Sequence, residues 1–375
     1  MIIKNVLIYS EDKYFEEGDI CIANGVFSDY SDDDIVIDGQ RCYAIPGLVD
    51  IHFHGCMGAD FCDGTQEAIQ AIASYEASQG ITTIVPATMT LSEPELMHIM
   101  ENAARYDNQN GAILAGINME GPFINEAKKG AQAATHIRKP DVAMFRKLQE
   151  TANGMIKLCD IAPETEGAMD FIEELHEEVS ISFAHTAAGY DIAKLGYDLG
   201  ACHATHLYNA MPAFAHRDPG VIGAARDSEH VFVELICDGI HIHPSTVRAT
   251  FEMFGEERIV MISDSMRATG LHDGEYTLGG QAVKVVDKRA TLVSDGAIAG
   301  SCTNLMDCVR KAVNEMDIPL ETAIGCATMN AAKSVGIYDQ YGSITKGKIA
   351  NVVLLNYDLS LHDVILKGKR LELDK

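Results

Sequence analysis

Leu48-Val49-Asp50-Ile51-His52-Phe53-His54 is the stretch on which the reading of this chain turns. It is an apolar run with β-branched residues, and it reads as a strand. Its last two alternate positions are histidines. Side chains alternate along a strand, so both imidazoles share one face. Taken alone, such a pair is explained as well by solvent exposure or hydrogen bonding as by a metal. The rest of the chain decides between these.

Working outward, seven further apolar or β-branched runs follow: Thr82–Thr88, Ala112–Glu120, Met155–Ala162, Val179–His185, Ala201–Asn209, Val231–Gly239 and Ile259–Asp264. Amphipathic helical patterns lie between them, among them Gln66–Gln79, Pro94–Tyr106, Glu166–Glu178, Ile192–Gly200 and Pro244–Phe254. Eight strand–helix units in a row predict an α/β fold of the (β/α)8, TIM-type barrel class. A doubly wound sheet also alternates, but the count and the placement of the polar residues favour the barrel. Residues 1–48 read as short strands (Ile2–Tyr9, Gly18–Ala23, Val26–Tyr30, Asp34–Ile37), and so do residues 343–375 (Gly347–Asn356, Val364–Lys367). Two β-rich ends around a barrel at 49–342 predict one small β-sandwich domain built from both termini. Between Asp273 and Gly296 an inserted hairpin is expected, with Glu275–Leu278 and Ala282–Val286 alternating around Gly279-Gly280.

Composition narrows the function classes. The 375 residues carry 29 Lys and Arg against 55 Asp and Glu, a formal charge of −26. Such a surface repels nucleic-acid phosphates, so nucleic-acid binding is not expected. An anionic small substrate remains compatible where a few basic residues converge. No apolar stretch reaches membrane-spanning length, and Met1–Ser10 alternates like a strand rather than reading as a leader. The ten cysteines lie mostly in apolar runs, as at Cys159, Cys202 and Cys237, without framework spacing. They read as reduced core residues of a cytoplasmic protein.

Most of the middle strands end in a residue able to bind a metal or move a proton: His52 and His54, Glu120, His185, His206 and Asp264. In a barrel these strand ends share one mouth. Each residue alone has a bland reading. Glu120 suits a helix cap or a salt bridge, His185 a hydrogen-bonded core position, and Asp264 an N-cap. Ionisable groups converging on a barrel interior are costly unless paired or coordinated. Together they predict a metal site. Imidazole and carboxylate ligands without thiolate suit zinc first, and also Fe, Mn, Co or Ni.

Pro46-Gly47-Leu48-Val49-Asp50-Ile51-His52-Phe53-His54-Gly55 resembles the strand-1 motif of the amidohydrolase superfamily. Met119-Glu120-Gly121-Pro122-Phe123-Ile124 and Thr205-His206-Leu207-Tyr208-Asn209-Ala210-Met211-Pro212 resemble segments of its N-acetylglucosamine-6-phosphate deacetylase family. The likeness continues through Ala184-His185, Cys237-Asp238-Gly239-Ile240-His241 and Ser263-Asp264. It implies that Glu120, His185 and His206 hold the principal divalent metal and that Asp264 is the acid/base. It also implies that Asn209 and Ala210 bind substrate polar groups, and that Arg217 and His241 grip a sugar phosphate. His52 and His54 add ligands for a second ion, so one or two ions per chain are expected. A homodimer is implied as well, because the family's phosphate pocket lies close to a dimer interface.

Two features depart from the pattern. Many superfamily members place a carboxylated lysine at the end of strand 4, but here that strand ends Cys159-Asp160-Ile161-Ala162 and Lys157 lies too early. The family's usual histidine after Lys-Gly-Ala is replaced in Lys129-Gly130-Ala131-Gln132, with His136 four residues further on. Gln132 can donate a hydrogen bond but cannot carry a charge. The expected reaction is hydrolysis of the acetamide of N-acetylglucosamine 6-phosphate to glucosamine 6-phosphate and acetate. The alternatives are the galacto epimer, a cyclic-amide hydrolase, and a barrel scaffold without catalysis.

Overall fold

The computed structural model describes residues 1–108 and 110–372. The expected alternation of parallel strands and helices is present. Leu48–Asp50, Ile81–Ile84 and Ile113–Leu114 pair in parallel. Ile117–Glu120, Ile156–Ile161, Ser180–Phe183, His203–Ala204, Phe232–Ile236 and Ile259–Ile262 form a second parallel sheet in chain order. A parallel bridge between Ala87 and Asn118 joins the two. Ile81–Ile84 and Ile259–Ile262 are buried at every position, as parallel strands covered by helices must be.

Strand pairing is shorter than the apolar runs. The run at Ala112–Glu120 divides into Ile113–Leu114 and Ile117–Glu120, and only His203–Ala204 of Ala201–Asn209 lies in the ladder. Residues just beyond the paired strands, His206 and Asn209 among them, line a cavity instead of continuing the ladder. At the far side of the array the last run bonds to the first. Asp264 N donates to His52 O at 2.9 Å, and Ser263 Oγ donates to Asp50 Oδ2 at 2.6 Å.

The helices follow local signals. Gln66–Ser78 starts at Thr65, whose side chain accepts from Ala68 N. Glu93–Ala104 starts at a Ser92–Glu95 capping box with Pro94 in its first turn. Ala168–Leu175, Tyr190–Asp198 and Pro244–Phe254 lie within two residues of, or inside, their predicted windows. Leu305–Glu315, Leu320–Cys326 and Met329–Ser334 close the middle of the chain.

Both termini meet in one continuous eight-stranded sheet. Its path runs Lys369–Arg370, Leu361–Leu366, Val352–Leu355, Tyr43–Pro46, Ile2–Tyr9, Phe15–Ala23, Val26–Ser28, with Val36–Asp38 beside Ile2–Tyr9. It has its own core, including Ile3, Ile22, Phe27, Val352, Leu354 and Ile365. Residues 373–375 of the expected C-terminal segment lie outside the described residues. The expected hairpin gains a strand: Gly274–Leu278, Gln281–Val286 and Arg289–Leu292 form a three-stranded antiparallel sheet. Among the described residues no helix is long and apolar enough to cross a membrane.

Candidate active site

The site is assembled where strands stop. Glu120 is the last residue of its strand, and His185, His206 and Asp264 each lie two residues past theirs. The latter three have left-handed backbone, with φ of 45°, 30° and 49°. Tyr208 and Ala210 follow at 78° and 52°. A non-glycine residue in that region costs on the order of 1–3 kcal/mol and persists where its surroundings over-determine it. Here main-chain bonds hold each turn: Asn125 N donates to His185 O, Leu207 N to Glu234 O, and Ser301 N to Asp264 O. These turns aim the side chains into the mouth.

Glu120 is the centre. Its Oε1 lies 3.0 Å from His185 Nε2, 3.3 Å from His206 Nε2 and 3.6 Å from His52 Nε2. Its Oε2 lies 3.4 Å from His54 Nε2, and His54 Nε2 lies 3.4 Å from Asp264 Oδ1. All are buried, between 0 and 7 % exposed. Burial alone would raise the Glu120 carboxyl. Hydrogen bonds from His185 and His206 and the charge of His52 outweigh it and hold Glu120 well below the usual carboxylate range. Asp264 is lowered likewise, burial being outweighed by His54 and His52.

Two overlapping three-donor groups result, His52/His54/Glu120 and Glu120/His185/His206, each with its ligand atoms within 4.8 Å of one another. Their hydrogen bonds suit a cation. His52 Nδ1 lies 2.9 Å from a carboxylate oxygen of Glu234, and His185 Nδ1 lies 2.9 Å from the main-chain oxygen of Lys128. Both acceptors can only accept, so both Nδ1 atoms carry hydrogen. Were a cation to displace the Nε2 hydrogens, the lone pairs of His52 and His185 would face Glu120; His185 and His206 Nε2 are 3.3 Å apart. His52 Nε2 has no hydrogen-bond partner among the described residues. Lone pairs converging in a buried space fit a divalent ion, and the orienting acceptors behind them are those that metal-binding histidines use.

Above this cluster lies a cavity of about 300 Å³, lined by His54, Glu120, Gln132, His185, His206, Asn209, Ala210, His241 and Asp264. His52 sits beneath it. Gln132 is pinned: its Oε1 accepts from Thr90 N at 2.6 Å and its Nε2 donates to Glu120 Oε2 at 2.7 Å. His136 lies on the turn Ala134–His136 and does not line the cavity, whereas Gln132 does. His241 Nδ1 pairs with Asp238 Oδ2 at 2.8 Å. Arg217 is not brought in. It is exposed on the loop after Met211, outside the cavity lining. At the end of strand 4 Asp160 accepts from Thr205 Oγ1 at 2.9 Å, with no lysine in the lining.

Several contributors were not read from sequence. Glu234 backs His52, and a carboxylate inside the apolar run Val231–Cys237 was the available signal. Met89, Leu278, Ala297, Ile298 and Gly300 form an apolar wall. Four of them lie in or just after the inserted sheet, and nothing local marks them.

A sequence profile described as the amidohydrolase family matches residues 43–371. The N-acetylglucosamine-6-phosphate deacetylase of Bacillus subtilis (strain 168) is 35% identical over 98% of this chain and 96% of that protein. The enzyme of the same name from Vibrio furnissii is 34% identical over 87% of this chain and 82% of that protein. Among solved structures, a mutant N-acetyl-D-glucosamine-6-phosphate deacetylase from Mycobacterium smegmatis, in complex with N-acetyl-D-glucosamine-6-phosphate, superposes with a TM-score of 0.90. It is 29% identical, covering 99% of this chain and 98% of that one.

Proposed function

The chain belongs to the amidohydrolase family, and from that membership we propose that it hydrolyses the acetamide of N-acetylglucosamine 6-phosphate to glucosamine 6-phosphate and acetate. The observation that carries the reading is the buried Glu120, shared by two histidine groups and set beside Asp264 at the floor of the cavity.

An amide is a poor electrophile and neutral water a poor nucleophile. Glu120, His185 and His206 would hold a divalent cation, whose chemistry there would be Lewis acidity toward the carbonyl and toward water. The protein's own groups do the rest. Asp264, ionised beside His54, takes a proton from the attacking water and returns it to the nitrogen, which then leaves as an amine. Gln132 has two amide hydrogens. One is used on Glu120, and the other faces Met89 Sδ at 3.7 Å, a weak acceptor that a developing oxyanion would replace. Asn209, the Ala210 main chain and His241 orient the sugar phosphate, and Arg217, outside the lining as the loop stands, would join them by a movement of that loop. Binding a remote charged group in this way positions the acetamide.

His52 and His54, with Glu120, hold a second and weaker ion, so that purified protein carries between one and two, zinc first among them. The eight strand–helix units close as a (β/α)8 barrel over 49–342, supported by the bonds from Asp264 and Ser263 to His52 and Asp50. The segments 1–48 and 343–375 form the small β domain beside it, as one eight-stranded sheet rather than two packed ones. Free thiols at all ten cysteines favour a reducing, cytoplasmic setting. Exposed Phe214, near Arg217, is an apolar side chain that a second copy in a homodimer would cover. The test is acetate release by metal-replete protein from the gluco and galacto 6-phosphates, from unphosphorylated N-acetylglucosamine and from a cyclic amide. Failure to release acetate from any phosphosugar would refute the reading.

A further inference from the structure

Phe232-Val233-Glu234-Leu235-Ile236 is an apolar strand with one carboxylate in it. Glu234 is completely buried. A carboxylate there is costly unless it is partnered, and its side-chain hydrogen bonds, all on Oε2, go to His52 and His206 of the site. Its Oε2 lies 2.9 Å from His52 Nδ1 and accepts from the main-chain N–H of His206, also at 2.9 Å. Its Oε1 faces His203 Nδ1 at 3.7 Å, and its main-chain oxygen accepts from Leu207 N at 2.9 Å. One side chain therefore touches a member of each three-donor group. Glu120 joins the two groups from inside the mouth, and Glu234 joins them from behind.

We infer that Glu234 is a positioning residue that fixes the His52 tautomer and the His206 turn, so that both groups present their Nε2 atoms to one place. This rests on the reading of the cluster as a metal centre. A carboxylate oxygen only accepts, so in the neutral ring His52 Nδ1 must carry the hydrogen and Nε2 is left bare, 3.6 Å from Glu120 Oε1. Without Glu234 the ring is free to protonate Nε2 and donate it to Glu120, which replaces a ligand atom with a hydrogen bond. The His206 N–H bond acts on the other group. It anchors a residue held at φ 30°, where an unbonded amide in a buried turn would let the backbone relax and swing the imidazole away.

The test is Co(II) binding by wild type, E234Q and E234L, read by competition against a chromophoric chelator, by ions per chain and by the visible spectrum of the Co(II) protein. Loss of an orienting partner behind a metal-binding histidine typically costs about 10–100-fold in metal affinity. E234L should show that loss, an altered spectrum and a lower ion count, with the His52-side ion leaving first. E234Q keeps an accepting oxygen of the same reach, so it should fall between E234L and wild type. If both variants bind with wild-type affinity and spectrum and only melt earlier, Glu234 is a packing residue and the inference is wrong. Should E234L fail to fold, E234Q decides alone by the same criterion. Wild type that binds no Co(II) overturns the metal-centre reading together with this inference. Tight binding by wild type and E234L alike overturns this inference only.

Discussion

His54 Nε2 and Asp264 Oδ1 stand 3.4 Å apart, one from the end of the first strand run and one from the end of the last. Asp264 N also donates to His52 O, so the two runs are tied by main chain and face each other by side chain. The imidazole keeps the carboxyl ionised although it is buried, which is the state a general base needs.

Asp264→Asn is expected to lower kcat by about 10²–10⁴-fold, the usual loss of one acid–base group, with metal content and folding almost unchanged. Asn can neither take nor return the proton. Steady-state kinetics with elemental analysis on the same preparation decide it. More than half of wild-type kcat would remove Asp264 from the chemistry.

His52 and His54 set the number of ions. Wild type dialysed against excess zinc should hold more than one ion per chain, and the His52→Ala, His54→Ala double variant should hold one. Both saturating at one ion would give the pair an orienting role toward Glu120 and Asp264 instead.

The His241–Asp238 pair predicts a pH dependence. Burial would lower His241, but Asp238 outweighs it and raises the imidazole above its ordinary 6.5. Burial would raise Asp238, but His241 and two main-chain N–H groups lower it below its ordinary 3.8. The His241 contribution is fully present below pH 6.5 and is lost as pH rises through the raised value. The Asp238 contribution is present above 3.8 and is lost as pH falls through the lowered one. KM for the phosphosugar should therefore climb on the alkaline side above 6.5, and His241→Asn should flatten that limb. A wild-type KM that is flat from pH 6 to pH 9 would remove His241 from phosphate binding.

Arg217→Ala should raise KM for the phosphosugar about 10–100-fold, since a charged hydrogen bond is worth roughly 1.5–3 kcal/mol. Activity on unphosphorylated N-acetylglucosamine should not move. Equal losses on both substrates would assign Arg217 to folding or to the chemical step.

Gly55 follows His54 and enters the short Gly55–Cys56 strand paired with Ala59–Asp60. A methyl group there would stand 2.2 Å from Ala59 O and 2.9 Å from Asp60 Cα, both main chain. Gly55→Ala should cost about 1–3 kcal/mol of stability, the usual price of overpacking. A denaturant midpoint equal to wild type would show that the turn gives way freely.

The alternation of buried strands with amphipathic helices was legible because each element announces itself over a few residues. Periodicity, caps and β-branched runs are local quantities. Glu120, His185, His206 and Asp264 were legible because an ionisable residue closing an apolar run is an anomaly visible without the fold. Elements less marked by such signals, such as the third strand of the insert, were not read. Gln132 was visible, but His136 could not be set aside until the loop was seen.

By itself the sequence determined the strand and helix order, the acidic surface and the donor set of the site, since these depend on residue type and short-range spacing. Only the tertiary structure decided that left-handed backbone aims three of those donors, His185, His206 and Asp264, at one point, and that Glu234 serves both histidine groups. It also placed the insert as the apolar wall of the cavity and left Arg217 outside the lining. Those outcomes depend on hydrogen bonds and packing between segments far apart in the chain. His52 and Glu234 are separated by 182 residues, and no window of sequence contains both.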